Sequence, residues 1–407
     1  MELRTKYQYT YFIHPYVIDS KKYNKYMLKL LKNKNCKLRL FQKEKDMHLY
    51  HYFLPEIRDS IFWSFGLTNE GIKSFEKLDD GMKANLLSKY ECNVFQYRLE
   101  QDLQGKVGEG NGIFFSINEI KIICFKTGIC FLLFKTALQE DDKFSNILNF
   151  NYKFREINSK TYQLKEYENI RLQSNDFKDV KEISTLIKEI TGNNTVSKKI
   201  NLDNEKFIVY SYTCLDQSSW NENVQTDFIK YRNVFCSNRQ VAEEVEKNEE
   251  KEIDYNKYVK YGLSKTSTVL LTSNINTENY TTLAQKYESE YLYTYILELY
   301  KKFLLNKLNC RFNKAEDFKK VETEFLSFIK KLWIQDITDD DFGNTLVKKW
   351  DNILGLAEFF AKLKSKYDIL YKKYDIENSN KNNKVVLSVI GVVIVFNILS
   401  IILIVLK

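Results

Sequence analysis

Histidine is the first residue type to test for chemistry, and the chain has three: His14, His48 and His51. A zinc pair on a helix needs histidines at i and i+4 with a carboxylate from elsewhere, whereas His48 and His51 stand three apart among aromatics. On a strand they would face opposite sides, and no glutamate follows the first as a metalloprotease base would. Gly105 to Gly112, GKVGEGNG, concentrates glycine in a chain with only 13 of them. A phosphate cradle needs amides converging at a helix N-terminus and Gly-Lys followed by Ser or Thr. Here valine follows Gly105-Lys106 and a strand pattern comes next, so a mobile connection is expected. Asp46, Glu56 and Asp59 near Arg58 have the composition of an acid–base cluster, but surface ion pairing explains them equally well. Arg232, Asn233 and Arg239 in YRNVFCSNRQ suit an anion, with salt bridging inside the fold as the simpler reading. No residue is therefore assigned a catalytic, cofactor-binding or metal-ligating role, no cofactor is expected, and the chain is not expected to be an enzyme.

The seven cysteines, Cys36, Cys92, Cys124, Cys130, Cys214, Cys236 and Cys310, are odd in number and form no C-x-x-C pair, as expected of reduced thiols. The net charge of +8 gathers partly between Arg4 and Lys45. That stretch suits anionic lipid or nucleic acid, and equally an ordinary solvated surface. With 28 Tyr and 28 Phe, base stacking comes to mind. The rings fall mostly within strand and helix patterns, which makes them core and nucleic acid an unexpected partner. Any small-molecule ligand is unknown at this level.

The elements that must position these residues begin with YQYTYFI, Tyr7 to Ile13, a strand ended by His14 and Pro15. Helical spacing follows over Tyr23 to Leu31, then strand alternation over Lys37 to Phe41. Glu70 to Tyr90 is expected as one helix and Cys92 to Leu99 as a strand. EIKIICFK and ICFLLFKTAL flank Lys126-Thr127-Gly128 as a hairpin with glycine at a positive-φ position. Both arms are apolar at nearly every residue, so they must be central strands covered on both faces. Helices over Asp142 to Phe154 and Phe177 to Ile190 are available as covers, and Lys206 to Leu215 and Thr266 to Ser273 are further strands. The acidic stretch Val241 to Tyr255 is a surface helix or a domain seam.

Three amphipathic segments occupy the C-terminal part: Thr281 to Leu308, Lys314 to Trp333 and Asp339 to Tyr374. The last carries Leu346, Trp350, Ile353, Ala357, Phe360, Tyr367, Tyr371 and Tyr374 on a near-heptad seam, a stalk or coiled-coil candidate. Packing within the chain is the simpler account of all three seams. Val385 to Leu406 has no charged residue, and its helix would rise about 33 Å, the span of a hydrocarbon core. Together with Lys381 and Lys384 before it and the absence of a secretory signal, this predicts a tail-anchored, single-pass protein of the cell membrane with its N-terminal part in the cytoplasm. The lipid bilayer would be its partner. Ser388, Gly391, Asn397 and Ser400 do not share one stripe, which disfavours a polar-lined pore, and Asn397 is best placed for contact between copies in a homo-oligomer.

The expected class is α+β: a buried mixed β-sheet with flanking helices, then a helical hairpin or stalk and one C-terminal transmembrane helix. The expected organisation is 1–250 for the α+β domain, 251–374 for the helical region, 375–384 for a polar tether and 385–406 for the span. On the hairpin EIKIICFKTGICFLLF, the two helical segments Thr281 to Leu308 and Lys314 to Trp333, and the stalk ending KYDILYKKYDI, the order of parts resembles the CorA-type magnesium-transporter superfamily. The Gly-Met-Asn signature and a second membrane helix are missing, so no ion-selecting residue is carried over. The expected function is an interaction or sensor protein of CorA-like architecture. Its alternatives are a channel-like oligomeric effector or divergent ion transporter, and an enzyme at the membrane.

Overall fold

Two strands apolar at nearly every position can be satisfied only in the middle of a sheet, and that is where ICFLLF lies. The computed structural model describes residues 2–98, 103–108, 112–138, 143–156, 170–174, 179–192, 206–222, 224–241, 250–313, 318–333 and 336–405, with side chains as far as Val395. The strands are β1 (Thr5–Val17), β2 (Cys36–Leu38), β3 (Cys92–Tyr97), β4 (Leu103–Val107), β5 (Ile113–Phe125), β6 (Ile129–Leu138), β7 (Ile170–Gln173), β8 (Lys181–Glu182), β9 (Ile208–Leu215), β10 (Glu252–Asn256), β11 (Val259–Leu263) and β12 (Ser267–Ser273). Among the described residues they form one sheet in the order β10-β11-β12-β9-β1-β6-β5-β4-β7-β8, with β3 joining β5 to β2. All pairs are antiparallel except β12 with β9, so the sheet is mixed. The class is α+β, with helices against both faces.

β5 and β6 form the expected hairpin. Gly128 has φ +87° and its carbonyl accepts the Ile18 N–H at 2.8 Å. A Cβ there would come within 2.2 Å of the Ile18 carbonyl oxygen, so the turn requires glycine. β1 runs on through His14 and Pro15, contrary to the expected stop. β9 pairs with β1 only as far as Ile13, so from His14 onward β1 has a neighbour on one side alone, where a proline's missing N–H costs no ladder bond.

Several boundaries differ from expectation. Gly105 and Lys106 belong to β4 rather than to a mobile connection, and Gly105 lies under the Phe115 ring, where a Cβ would clash. The single helix expected over Glu70 to Tyr90 is two, Asn69–Glu76 and Asp80–Leu87, because Asp79 caps the second by accepting the Met82 N–H at 2.9 Å. The sheet continues past residue 250: β10, β11 and β12 extend it, so the boundary drawn at 250 is crossed by strand pairing. Residues 242–249 of the acidic seam lie outside the described ones.

The stalk expected over Asp339 to Tyr374 is broken. Helix Asp341–Leu354 ends at Gly355, which takes the left-handed conformation, and a new helix, Leu356–Val405, begins. Much of its seam packs inside the chain. Trp350 lies 5.1 Å from Tyr295 and donates to Thr268 at 3.0 Å, Phe360 stacks on Trp333 at 4.1 Å, and Tyr367 lies against Phe318 at 5.9 Å.

Among the described residues no helix is long and apolar enough to cross a membrane. The expected transmembrane helix over 385–406, the tether over 375–384, and the tail-anchored placement with a cytoplasmic N-terminal domain are corrected accordingly. Residues 375–384 continue the helix Leu356–Val405 without interruption. The side chains of Asn397 and Ser400 lie outside the described residues.

Candidate functional site

The sequence places no catalytic constellation, yet folding gathers charge from four distant segments around one cleft of about 790 Å³. Its walls are the turn from Arg39 to Asp46 with the helix Met47–Tyr52, the end of β3, the middle of β5, and the helical stretch from Thr282 to Tyr293. Phe41, Leu49, Val94 and Tyr293 give it an apolar base.

Two local irregularities aim the polar residues. Between Ile117 and Glu119 the pairing of β5 with β6 shifts by a residue. Before the shift Phe115 and Ile117 are buried on one face; after it Ile120 and Ile122 take over that face, and Glu119 and Lys121 point to the cleft. The second irregularity is a π-helical turn over Tyr287–Tyr291, between helix Thr282–Lys286 and helix Leu292–Asn313. Such turns insert a residue into a helix and free backbone carbonyls. Here Tyr287 and Tyr291 remain against the sheet while Glu288, Ser289 and Glu290 line the cleft.

Tyrosine hydroxyls from the sheet hold this irregular stretch. Tyr212 donates to the Asn279 carbonyl at 2.7 Å, Tyr9 to that of Ala284 at 2.9 Å, and Tyr210 to that of Tyr287 at 2.7 Å. Each tyrosine satisfies a buried carbonyl, and each phenylalanine in its place would leave one bare.

Ion pairs then order the cleft. Arg39 meets Asp46 at 2.5 Å, and Asp46 also accepts the Gln42 N–H at 2.9 Å, which locks the turn. Lys121 meets Glu119 at 2.9 Å, and Gln96 donates to Glu119 at 3.0 Å. Lys135 pairs with Glu288, and Lys286 with Asp340 at 2.7 Å. The Tyr11 hydroxyl sits between the two glutamates, 3.0 Å from Glu288 and 3.2 Å from Glu119, and accepts from Lys121 at 3.3 Å. Burial, then these carboxylates, hold the Tyr11 phenol well above its ordinary value, so it keeps its proton and acts as a donor. Lysine, glutamine and the Tyr11 hydroxyl thus hold the Glu119 and Glu288 carboxylates in fixed positions on the cleft wall.

The residues singled out from sequence disperse. Of the histidines, His48 lines the cleft, His51 is exposed one turn on, and His14 is buried in β1 on the opposite face. Asp46 separates from Glu56, Asp59 and Arg58: it is buried against Arg39, while Arg58 lies 3.9 Å over the Tyr50 ring and donates to the Tyr50 carbonyl at 2.9 Å. Arg232 is buried against Glu252, the internal salt bridge anticipated; Asn233 donates to the Ile229 carbonyl at 2.9 Å and Arg239 covers Phe235. Among the described residues no group of three or more His, Cys, Asp or Glu could hold a metal ion.

Sequence reasoning missed Glu119, Lys121, Glu288 and Glu290. One signal was available: Glu119 and Lys121 stand two apart in a largely apolar central strand, a position where charge requires a reason. No family model, no curated protein and no solved structure matches the chain, and none of these comparisons indicates a CorA-like architecture.

Proposed function

We propose that the chain is an interaction or sensor protein that takes a small polar molecule in the charged cleft and passes its occupancy to the C-terminal helix. The observation that carries this reading is the coincidence of the cleft with the π-helical turn Tyr287–Tyr291, an insertion of the kind retained at functional sites. The volume suits a metabolite-sized ligand, with an apolar base for packing and fixed charges for orientation. The turn leads directly into helix Leu292–Asn313, which is buried between the sheet and the helices Asp341–Leu354 and Leu356–Val405. A ligand that favours one winding of that turn over another would therefore act on the packing of the last helix.

Thermal unfolding of the full chain against amino acids, amines, nucleotides and sugars tests the binding step. A ligand at about a hundred times its Kd stabilises by about 2.7 kcal/mol, and loss of that gain in Lys121→Met places it in the cleft. A fluorescent label at Ile376, on the exposed part of the last helix, reads the second step. If no class of compound raises the melting temperature, the binding reading falls; if one does and the label is silent, the sensor part falls.

A further inference from the structure

Of the charges that line the cleft, two have no counter-charge within ion-pair distance among the described residues: Glu290 and Arg98. The others are matched, Arg39 by Asp46, Lys121 by Glu119, Glu288 by Lys135 and Lys286 by Asp340. Glu290 is only 8% exposed, and its carboxylate meets one side chain, the Ser289 hydroxyl. That hydroxyl has a competing acceptor, the Gln285 carbonyl at 2.7 Å. Lys286, one helical turn back, is the natural partner for Glu290, but Asp340 at 2.7 Å and the faces of Tyr291 and Tyr52 hold it. Arg98, just past the end of β3, directs its Nε and Nη2 to the Gln96 amide oxygen at 2.9 and 2.6 Å and meets no carboxylate among the described residues.

A buried carboxylate without a cation is among the most costly features a fold can keep, and replacing it by a neutral isostere ordinarily stabilises. Its presence in a ligand-sized cleft gives it a use: a bound cation restores the missing partner. We infer that the cleft recognises a zwitterion, an ammonium or guanidinium group seated on Glu290 and an acid group held by Arg98. Both contacts are charge-assisted hydrogen bonds, the strongest of the common polar contacts, and the guanidinium fork suits a carboxylate or phosphate in bidentate geometry. Glu119, Glu288 and their lysines between them provide a net-neutral wall, which neither repels nor captures either end.

This inference rests on the cleft being a ligand site, and calorimetric titration of the full chain separates the two. The probes are a ladder of ω-amino acids from β-alanine to aminohexanoate, n-butylamine, butyrate, a nucleoside monophosphate and a neutral sugar. The expected result is that one rung binds at least about tenfold more tightly than the amine or the acid alone, the best rung measuring the span between the two charges. Glu290→Gln should cancel the advantage of the ladder over butyrate, and Arg98→Gln its advantage over butylamine. Without ligand, Glu290→Gln should melt higher than the wild-type chain by about 2 °C, since an uncompensated buried charge is gone. If the nucleotide or the sugar binds and both variants leave its affinity unchanged, the cleft is a ligand site and the zwitterion assignment is overturned. A ligand-free Glu290→Gln that melts lower makes Glu290 a structural residue and overturns it too. Binding by no probe removes both readings together.

Discussion

The two faces of the sheet are covered by different chemistry. On one, Phe12 stacks on Phe154 at 4.0 Å and meets Phe150 and Phe207, with Ile122, Leu132 and Phe134 completing a closed apolar layer. Four of its polar members, Thr10, Asn151, Ser211 and Tyr231, bond to one another. On the other face the same strands present Tyr9, Tyr11, Tyr210, Tyr212 and Tyr261 to the helices that follow β12. A phenyl layer asks only for volume, and regular helices supply it. A tyrosine layer also asks for acceptors, and the helical stretch from Thr277 to Tyr291 supplies them by departing from regular winding. The cleft lies on the tyrosine face because that is where the backbone is irregular.

The largest expected effect tests the phenyl face. Phe12→Ala should cost about 3–5 kcal/mol in urea unfolding, with cleft binding retained in the folded fraction. A loss below about 1 kcal/mol would show that this face is looser than its ring contacts imply.

Next comes pH. Burial lowers the His14 pKa from 6.5 to about 4. The unfolded chain therefore takes up a proton below 6.5 that the folded chain refuses until about 4, and stability falls as pH drops through that window. At a pH of about 5 the loss is about 2 kcal/mol, and His14→Phe should remove that part of the acid sensitivity. An unchanged pH slope in the variant would be the contrary result, and would move acid sensitivity to the charged face.

On the tyrosine face, Tyr210→Phe should cost about 1–3 kcal/mol because the Tyr287 carbonyl loses its donor. It should also weaken ligand binding, as the π turn is released. The smallest change has the opposite sign. The Tyr261 hydroxyl is buried without a partner, so Tyr261→Phe should leave stability unchanged or raise it by about 1 kcal/mol. Equal losses for the two tyrosines would break the contrast between hydroxyls that hold backbone and one that does not.

The phenyl face was largely legible in the sequence. ICFLLF and IICF announce central strands by having no polar side, Tyr23, Tyr26, Met27 and Leu30 mark a helix, and KTG marks the turn between β5 and β6. The tyrosine face was not, because periodicity cannot register a π turn: Tyr287, Tyr291 and Leu292 keep a helical spacing whichever way the turn is wound. The cleft was hidden for a different reason. Arg39, Arg98, Glu119 and Glu290 come from separate elements and form no local pattern; only strand order brings them together. Asp79 was the clearest missed local signal, a cap followed by Asp80-Gly81 that divides one apparent helix into two. The long C-terminal segment misled in the other direction, since Gly355 sits between two stretches that continue one seam.

That last helix has a mechanical consequence. Beyond Tyr374 it continues to Val405 with its described side chains largely exposed. This overhang is about 47 Å long. A tilt of about five degrees where it leaves the body would swing its tip by about 4 Å, more than the length of a hydrogen bond. A sub-ångström adjustment at the anchored end is thereby magnified into a displacement large enough to make or break a contact at the other.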